Sequence, residues 1–256
     1  MRIGFIGAGK VGCSLGKYFV NTGIDVAGYF CKNTTSLEFA TEFTNTKKFE
    51  TAQSLTDASD IIFLTVPDSQ IAVVYESIKT NEKIFVHCSG ALSSTVFYDN
   101  IYGYSLHPFM AINDKRCSYK QLGTANFTLE GNEEKIHLIK NLVKNNEVYI
   151  ISAENKPLYH ASAVFASNFS VALGAIATEL LQKSGFTNTD IIFDIMENNI
   201  KNMKSSGIIN SLTGPVARGD IDTIKKHMSV LHSDELEIYK LLSKKLAELA
   251  GKGDLF

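Results

Sequence analysis

Near the start of the sequence lies a glycine-rich turn, Gly7-Ala8-Gly9-Lys10-Val11-Gly12, which directly follows the apolar residues 3–6. Glycines at this spacing between a strand and a helix are typical of parallel sheets that bind the diphosphate of a dinucleotide. The first glycine permits a tight turn, the second lets the backbone approach the diphosphate, and the third allows close packing of helix on strand. The N–H groups at the helix start then face the phosphates. The pattern therefore predicts a dinucleotide site formed by these six residues.

The alternation of short apolar runs with helical patterns predicts the fold class around this turn. Such alternation is typical of βαβ units, so we expect an α/β fold with a doubly wound Rossmann-type sheet over residues 1–152. Strand patterns stop there, and residues 153–256 should form an all-α domain for substrate binding and dimerisation. The predicted strands are 2–6, 25–30, 61–66, 83–87, 102–106, 126–129 and 147–151. The predicted helices are 11–21, 36–44, 69–79, 133–144, 157–183, 189–203, 220–231 and 234–250.

Composition excludes several classes of protein. Of the 256 residues 45% are hydrophobic and 20% are charged, which excludes a disordered chain. A formal net charge of −2 gives no electrostatic reason to expect nucleic acid or an anionic membrane as partner. The four cysteines lack the spacing of a metal site or a disulfide framework, and no cleavable leader is recognised, so we expect a cytoplasmic protein without a metal.

The predicted helix 157–183 is apolar on nearly every face, so nearly every face must be covered. Its central stretch, 161–181, is long enough to cross a membrane, but it contains serines, an asparagine and a glutamate that are costly in hydrocarbon. We therefore expect a buried helix that ends near Gly185, and a homodimer formed through the helical domain.

The residues after the second predicted strand indicate which dinucleotide binds. An NAD-selective site usually carries an acid here, whereas this segment reads Lys32-Asn33-Thr34. A lysine beside polar side chains can hold a 2′-phosphate, so we predict NADP. The alternatives are a solvated Lys32 with a capping box from Thr35 to Glu38, and a site for flavin or S-adenosylmethionine. Val66 and Pro67 end the next strong strand and should lie along the ribose and nicotinamide, with Asp68 capping the following helix.

The substrate side is predicted at the next two strand ends. Ser89 and Gly90 follow the fourth predicted strand and His107 ends the fifth, so all three should face the crevice of the sheet. Ser89 could instead cap a turn, and His107 could be structural.

A catalytic group is predicted on the first helix of the helical domain, where Lys156, His160 and Asn168 recur at multiples of four residues. A carbonyl or imine that accepts hydride needs a proton donor, and histidine suits neutral pH. Asn168 could orient the substrate or could form a structural bond between helices. In the later polar segment, Thr213 could complete the pocket, and Arg218 could grip a substrate carboxylate or pair with a nearby aspartate.

These motifs together resemble a family of NADP oxidoreductases that join a Rossmann-like domain to a helical C-terminal domain of unknown function. The resemblance rests on the glycine turn, Val66-Pro67-Asp68, His87-Cys88-Ser89-Gly90, His107-Pro108, Tyr159-His160 and residues 212–220. It is more distant to pyrroline-5-carboxylate reductase and to the β-hydroxyacid dehydrogenases, including the C-terminal domain of 6-phosphogluconate dehydrogenase. The resemblance implies NADP binding and a dimer but no particular substrate, because the turn motifs of those relatives are replaced here.

Two hypotheses about function follow from these observations. The first is an NADP-dependent oxidoreductase that passes hydride to a small carbonyl, imine or 2-oxo acid. The second is a non-catalytic NADP-binding sensor or partner protein. A methyltransferase that binds S-adenosylmethionine is a third alternative.

Overall fold

The computed structural model describes residues 1–80 and 83–255. The chain divides into two compact units, Met1–Ser167 and Asn168–Phe256. The predicted domain boundary, after residue 152, lies earlier than this division. The reason is that the helix Lys156–Ala166 begins with a fully buried lysine, Lys156, which bonds to the sheet of the first unit.

In the described residues the first unit contains one eight-stranded sheet. The strands are β1 (Arg2–Ile6), β2 (Asp25–Phe30), β3 (Lys47–Lys48), β4 (Ile61–Leu64), β5 (Ile84–His87), β6 (Gly103–Pro108), β7 (Phe127–Gly131) and β8 (Val148–Ile150). Their order is β3-β2-β1-β4-β5-β6-β7-β8, and neighbours are parallel except for the antiparallel pair β6–β7. The chain switches direction across the sheet between β1 and β4, where a doubly wound sheet binds its ligand. The predicted Rossmann-type fold is confirmed.

Most helices agree with the predicted ones. The exceptions are short helices that were not predicted and the longest predicted helix, which is divided in two. The first unit has α1 (Lys10–Asn21), α2 (Thr34–Thr44), α3 (Ala52–Asp57), α4 (Asp68–Glu76), α5 (Ser118–Gln121), α6 (Ile136–Leu142) and α7 (Lys156–Ala166). The second has α8 (Asn168–Lys183), α9 (Ile191–Ser206), α10 (Gly214–Arg218), α11 (Ile221–Val230) and α12 (Ser233–Leu249). Sequence analysis missed β3, α3, α5 and α10, because so few residues carry no measurable periodicity.

The prediction of a single helix over residues 157–183 is wrong. Two helices, α7 and α8, are separated by Ser167, whose φ of −113° and ψ of −67° depart from helical values. The Ser167 hydroxyl donates to the Ala163 carbonyl, a bond with which serine commonly bends a helix. The predicted end near Gly185 is confirmed, since α8 ends at Lys183 and Gly185 follows with a φ of 93°.

A cluster of aromatic rings holds the glycine turn against the sheet. Phe5 on β1 stacks on Tyr29 and on Phe63, with 5.2 Å between ring centroids in both pairs. All three side chains are fully buried. The Tyr29 hydroxyl donates to the Gly12 carbonyl at 3.2 Å, so the core is bonded directly to the turn that should bind the cofactor.

The second unit buries much less of its apolar surface. Its core cluster in the described residues consists of Val216, Ile224 and Ala247. The expectation of a buried helix over 161–181 is wrong for this chain, because Gly174 is the one buried residue that the structure describes in α8. The helical stretch Ala153–Lys183 is long and apolar enough to cross a membrane by length and composition, and 6% of its most apolar window is buried.

Candidate active site

The glycine turn between β1 and α1 has the geometry of a phosphate cradle. Gly7 has a φ of +110°, and a side chain there would collide with the Thr65 carbonyl, 2.6 Å from the position of its Cβ. At Gly9, by contrast, an added Cβ would meet no atom of the described residues within 4 Å. Over the same described residues, no side chain caps the start of α1 and no acid lies in its first turn. The turn therefore leaves open space in front of a helix start that favours a diphosphate.

A cleft of about 260 Å³ continues from this turn along the ends of β2 and β4. Five of the predicted cofactor residues come together at the cleft, with apolar side chains forming most of its walls. They are Gly7, Lys32, Asn33, Val66 and Pro67, together with Ile6, Phe30, Cys31, Gln70 and Val74. The arrangement has room for the adenosine part of a dinucleotide and has a lysine at its rim.

The start of α2 bears on the alternative in which Lys32 is solvated and residues Thr35 to Glu38 form a capping box. The capping box from Thr35 to Glu38, which was part of that alternative, is not formed, because the cap is Asn33, whose side chain accepts from the Ser36 N–H at 2.8 Å. Lys32 remains exposed beside the cleft, and Thr34 is the first residue of the helix. In the described part of the chain no acid lies in this first turn, which suits a bound phosphate.

A second polar cluster is built around α7, where Lys156, Tyr159 and His160 share one face because they are three and four residues apart. The Lys156 ammonium is fully buried and donates to the Ser89 carbonyl at 3.1 Å and to the Ser105 hydroxyl at 2.5 Å. Burial lowers the Lys156 pKa, although the carboxylate of Glu130 opposes that shift. Lys156 thus ties α7 to the ends of β5 and β6.

Ser89 is bonded on all sides by the protein. Its hydroxyl donates to the Asp68 carboxylate at 2.7 Å and accepts from the N–H groups of Ala91 and Leu92. These bonds favour the alternative in which Ser89 shapes a turn, and its contact with substrate stays a prediction. The expectation that Asp68 caps α4 is wrong, because the cap position is Pro67 and the Asp68 side chain turns to Ser89.

His107 lies at the end of β6, opposite Thr128 on β7. Its Nδ1 is 2.8 Å from the Tyr159 hydroxyl, which also accepts a hydrogen bond from Thr128 at 3.1 Å. Burial, reinforced by His160 and Lys156, lowers the His107 pKa to about 4. At neutral pH His107 is therefore an uncharged ring in a defined orientation.

His160 lies beside His107, with ring centroids 5.9 Å apart and planes nearly perpendicular. Its Nδ1 is buried and has no hydrogen-bond partner among the residues that the structure describes. Gly90 lies against both rings, because a Cβ at Gly90 would be 2.4 Å from the His160 Nδ1 and 3.0 Å from the His107 Nε2. The predicted residues Gly90, His107 and His160 are thus brought together at one point.

Two neighbouring residues of this edge are structural. His87 is buried and neutral, because burial lowers its pKa to about 3, and its ring bonds to the Ser89 N–H and the Ser93 carbonyl. Part of Cys88 is exposed to solvent, but its sulfur is buried, and this burial raises the thiol pKa to about 12. Neither residue has the geometry of an acid or a nucleophile at neutral pH.

The remaining predicted residues belong to the second unit. Asn168 begins α8, Thr213 precedes α10, and Arg218 ends α10. Asp220 accepts from the N–H and hydroxyl of Thr223 and caps α11. The substrate contacts of Asn168, Thr213 and Arg218 stay predictions.

Sequence reasoning missed several residues of the polar cluster, namely Asp68 as a partner of Ser89, Ser105, Thr128, Glu130 and Tyr159. One local signal was present: Ser105 and His107 are two residues apart on β6, as Thr128 and Glu130 are on β7, so each pair shares one face of its strand. The antiparallel pairing of β6 with β7, which sets these pairs opposite each other, has no such local signal.

Two family models match this chain. Residues 2–90 match the model described as NADP oxidoreductase, coenzyme F420-dependent, and residues 125–246 match a domain of unknown function, DUF2520. Residues 2–90 are thus similar to NADP oxidoreductase domains, and residues 125–246 are similar to a domain of unknown function. The expected resemblance is confirmed, as is the expectation of an oxidoreductase class whose cofactor is NADP.

Solved structures with the same fold cover nearly the whole chain. A protein of Thermotoga maritima is 25% identical over 98% of this chain and 99% of its own, with a TM-score of 0.77. A candidate NADP oxidoreductase of Bacteroides fragilis is 21% identical over 96% and 98%, with a TM-score of 0.80. The pyrroline carboxylate reductase of Plasmodium falciparum, solved with NADP bound, is 14% identical over 100% and 98%, with a TM-score of 0.64. No curated protein matches the sequence.

Proposed function

We propose that this NADP oxidoreductase uses NADPH to reduce a small carbonyl, imine or 2-oxo acid. The observation that carries the proposal is the placing of two features at one edge of the sheet. The glycine turn follows β1, and the polar cluster of Gly90, His107 and His160 lies at the ends of β5 and β6, which run parallel to it. Strands that end at the same edge place cofactor and substrate groups side by side.

The proposed cofactor site is the glycine turn with the cleft beside it. Gly9 and the start of α1 would hold the diphosphate, and Val66 and Pro67 would line the ribose and nicotinamide. Lys32 would neutralise a 2′-phosphate, which an acid at the same position would repel. NADPH bound there supplies the hydride.

The residues of the polar cluster have separate proposed roles. His160 would supply the proton to the reacting heteroatom, because its buried Nδ1 has no hydrogen-bond partner among the described residues. His107 would hold the substrate. Lys156 is fully buried against protein acceptors, so we assign it the positioning of Ser89 and Gly90 rather than direct proton transfer.

Homodimerisation is also proposed, on the basis of apolar side chains that the second unit leaves in contact with solvent. Such side chains are exposed by 75% at Val171, 55% at Phe193, 61% at Ile195 and 61% at Ile208. Monomeric soluble proteins rarely expose so much apolar surface, and a second copy is the commonest cover. Asn168, Thr213 and Arg218 are retained as proposed substrate contacts, and a cytoplasmic location is retained as part of the same proposal.

The proposed reaction is tested by following the oxidation of NADPH and of NADH with a panel of small ketones, cyclic imines and 2-oxo acids. Coenzyme F420 belongs in the panel, because the matching family description names it. We expect turnover with at least one substrate and a preference for NADPH. His160→Ala should lower kcat by roughly 100-fold, the usual contribution of a general acid. Lys32→Ala should raise the KM for NADPH roughly tenfold and leave the KM for NADH unchanged.

Two exposed residues outside the site provide matched controls, His232→Ala for the histidine and Lys140→Ala for the lysine. Neither control should change turnover. Stabilisation of the fold by NADP without turnover of any substrate would support the alternative of a non-catalytic sensor. The cofactor proposal is refuted if neither nicotinamide dinucleotide raises the melting temperature while S-adenosylmethionine does.

A further inference from the structure

The cofactor cleft lies between the end of β2 on one side and the start of α4 on the other. Residues 30–33 line it from β2, and Gln70 and Val74 line it from α4. Phe30, Val66 and Val74 also pack against the buried core of the first unit, which holds their side chains in place. The walls are therefore a fixed apolar surface of the kind that suits the faces of an aromatic ring.

Gln70 presents its side chain to this cleft from the first turn of α4. Gln70 and Val74 are four residues apart and share one face of the helix, while Ile71 is buried in the core. The Gln70 side chain is exposed, and in the described residues its amide makes one hydrogen bond, from Nε2 to the Ser69 carbonyl at 3.5 Å. That distance exceeds the usual range of about 2.7–3.2 Å, so the amide is available to a ligand.

The other polar side chains that line the cleft lie on the β2 side. Lys32 is the proposed partner of the 2′-phosphate, and the Asn33 side chain is held at the start of α2 because it accepts from the Ser36 N–H. The Cys31 thiol is a weak hydrogen-bonding group. Among the lining residues that the structure describes, Gln70 is therefore the one amide that is not held by a helix cap.

The adenine base is the part of the cofactor that reaches this amide. With the diphosphate at Gly9 and the 2′-phosphate at Lys32, the ribose that joins them lies at the end of β2. The base is attached to the ribose carbon next to the one that carries the 2′-phosphate, so it starts beside Lys32. The apolar cleft toward α4 is the described space that can take its ring, and Gln70 then lies at the polar edge of the base.

We propose that Gln70 makes the cofactor site specific for adenine, by pairing with the edge of the base that carries the 6-amino group. A primary amide has a donor and an acceptor side by side. Adenine offers the complementary pair, its 6-amino donor beside a ring-nitrogen acceptor, and glutamine binds adenine through two such bonds when proteins read DNA. The proposal rests on the proposed cofactor site and adds a base-specific contact to it.

A cycle that combines one protein change with one ligand change isolates this contact. The ligands are adenosine 2′,5′-bisphosphate, which is the adenosine half of NADP, and its analogue with hydrogen in place of the 6-amino group. Titration calorimetry measures the Kd of both for the full-length protein. We expect the analogue to bind wild type about fivefold more weakly, the usual effect of one hydrogen bond between neutral groups. Gln70→Met keeps the length of the side chain but has no amide, and it should bind both ligands equally.

The matched control is Gln121→Met, at an exposed glutamine that ends α5 outside the cleft. This control should keep the fivefold difference between the two ligands. A purine with oxygen at position 6 would not reveal the contact, because the amide can rotate by half a turn and pair with that oxygen as well. The analogue with hydrogen at position 6 offers nothing for the amide oxygen to accept.

Two results would overturn the proposal: a wild-type protein that binds both ligands equally, or a Gln70→Met variant that keeps the wild-type difference. Both leave the proposed cofactor site standing, since the ligands still bind, and Lys32→Ala should then weaken both alike. Folded protein that binds neither bisphosphate nor NADP would refute the cofactor site and this contact together. The expected cycle without any reductase activity would retain the contact and refute the proposed reaction.

Discussion

The two units of this protein differ in how they bury apolar surface. The first encloses its sheet between helices, and its largest aromatic side chains, among them Phe5, Phe63 and Phe85, are fully buried. The second contains a small cluster around Val216 and Ile224, while large side chains of α8 and α9 remain in contact with solvent.

This difference indicates which unit stabilises the fold and which unit holds the side chains of the candidate site in place. Burial of apolar area is the main favourable contribution to folding, so the first unit has the material for an independent core. Its proposed cofactor cleft and the polar cluster are built on that core, and a rigid core can hold side chains within the tolerance that binding requires. The second unit leaves much of its apolar surface exposed, which is the basis of the proposed dimer.

The largest expected effect comes from truncating one aromatic ring in each unit. Phe63→Ala removes a fully buried ring and should lower the free energy of unfolding by about 4 kcal/mol. Phe193→Ala removes a ring that is 55% exposed, and in dilute protein it should cost no more than about 0.5 kcal/mol. Denaturant titrations followed by circular dichroism measure both. Equal losses would contradict the comparison, because they would mean that α9 is covered within the chain.

The next effect concerns the proposed dimer. Ile195→Asp places a charge on the exposed apolar surface of α9 and should weaken self-association roughly 100-fold, because an unpaired charge would be buried in the interface. Analytical ultracentrifugation over a dilution series measures it. Val73→Asp, at a position that is 56% exposed in the first unit, is the control and should leave association unchanged. A wild-type protein that stays monomeric, or that sediments with detergent or lipid vesicles, would show that the cover is not a second copy.

The smallest effect concerns the pH dependence of stability, and it should arise in the first unit. The His87 pKa is about 3 in the fold against 6.5 for the unperturbed side chain, so below pH 6.5 the unfolded chain binds a proton that the folded chain does not. The free energy of unfolding should therefore decrease as the pH falls from 6.5 toward 3, by about 2 kcal/mol between pH 7 and pH 5 from this residue. The decrease should be smaller in His87→Gln, where His107 still contributes, and unchanged in His232→Gln, an exposed residue of the second unit. A slope that is the same in wild type and His87→Gln would show that burial of His87 does not carry the effect.

Local sequence patterns were sufficient to predict the main secondary-structure elements and the cofactor class of this protein. The glycine turn, the apolar strands and Lys32 each carry their signal in a few adjacent residues, because backbone conformation and strand burial depend on neighbours in the chain. The cofactor class and the order of the main elements were predicted on that basis. The interruption of the helix at Ser167 and the short elements β3 and α10 were not predicted. A single residue with non-helical backbone angles, or an element of a few residues, leaves no periodic pattern in the sequence.

The candidate site was predicted only as separate residues. Gly90, His107 and His160 were each named for their position at a strand end or on a helix face, but nothing local showed that their atoms meet. That outcome depends on the pairing of β6 with β7 and on Lys156, whose bonds to Ser89 and Ser105 bring α7 to the sheet. The contact of the Tyr159 hydroxyl with the His107 Nδ1 joins residues that are 52 positions apart in the chain. Contacts of that range are decided by tertiary packing, because the conformation of each segment alone leaves the partner of each polar atom open.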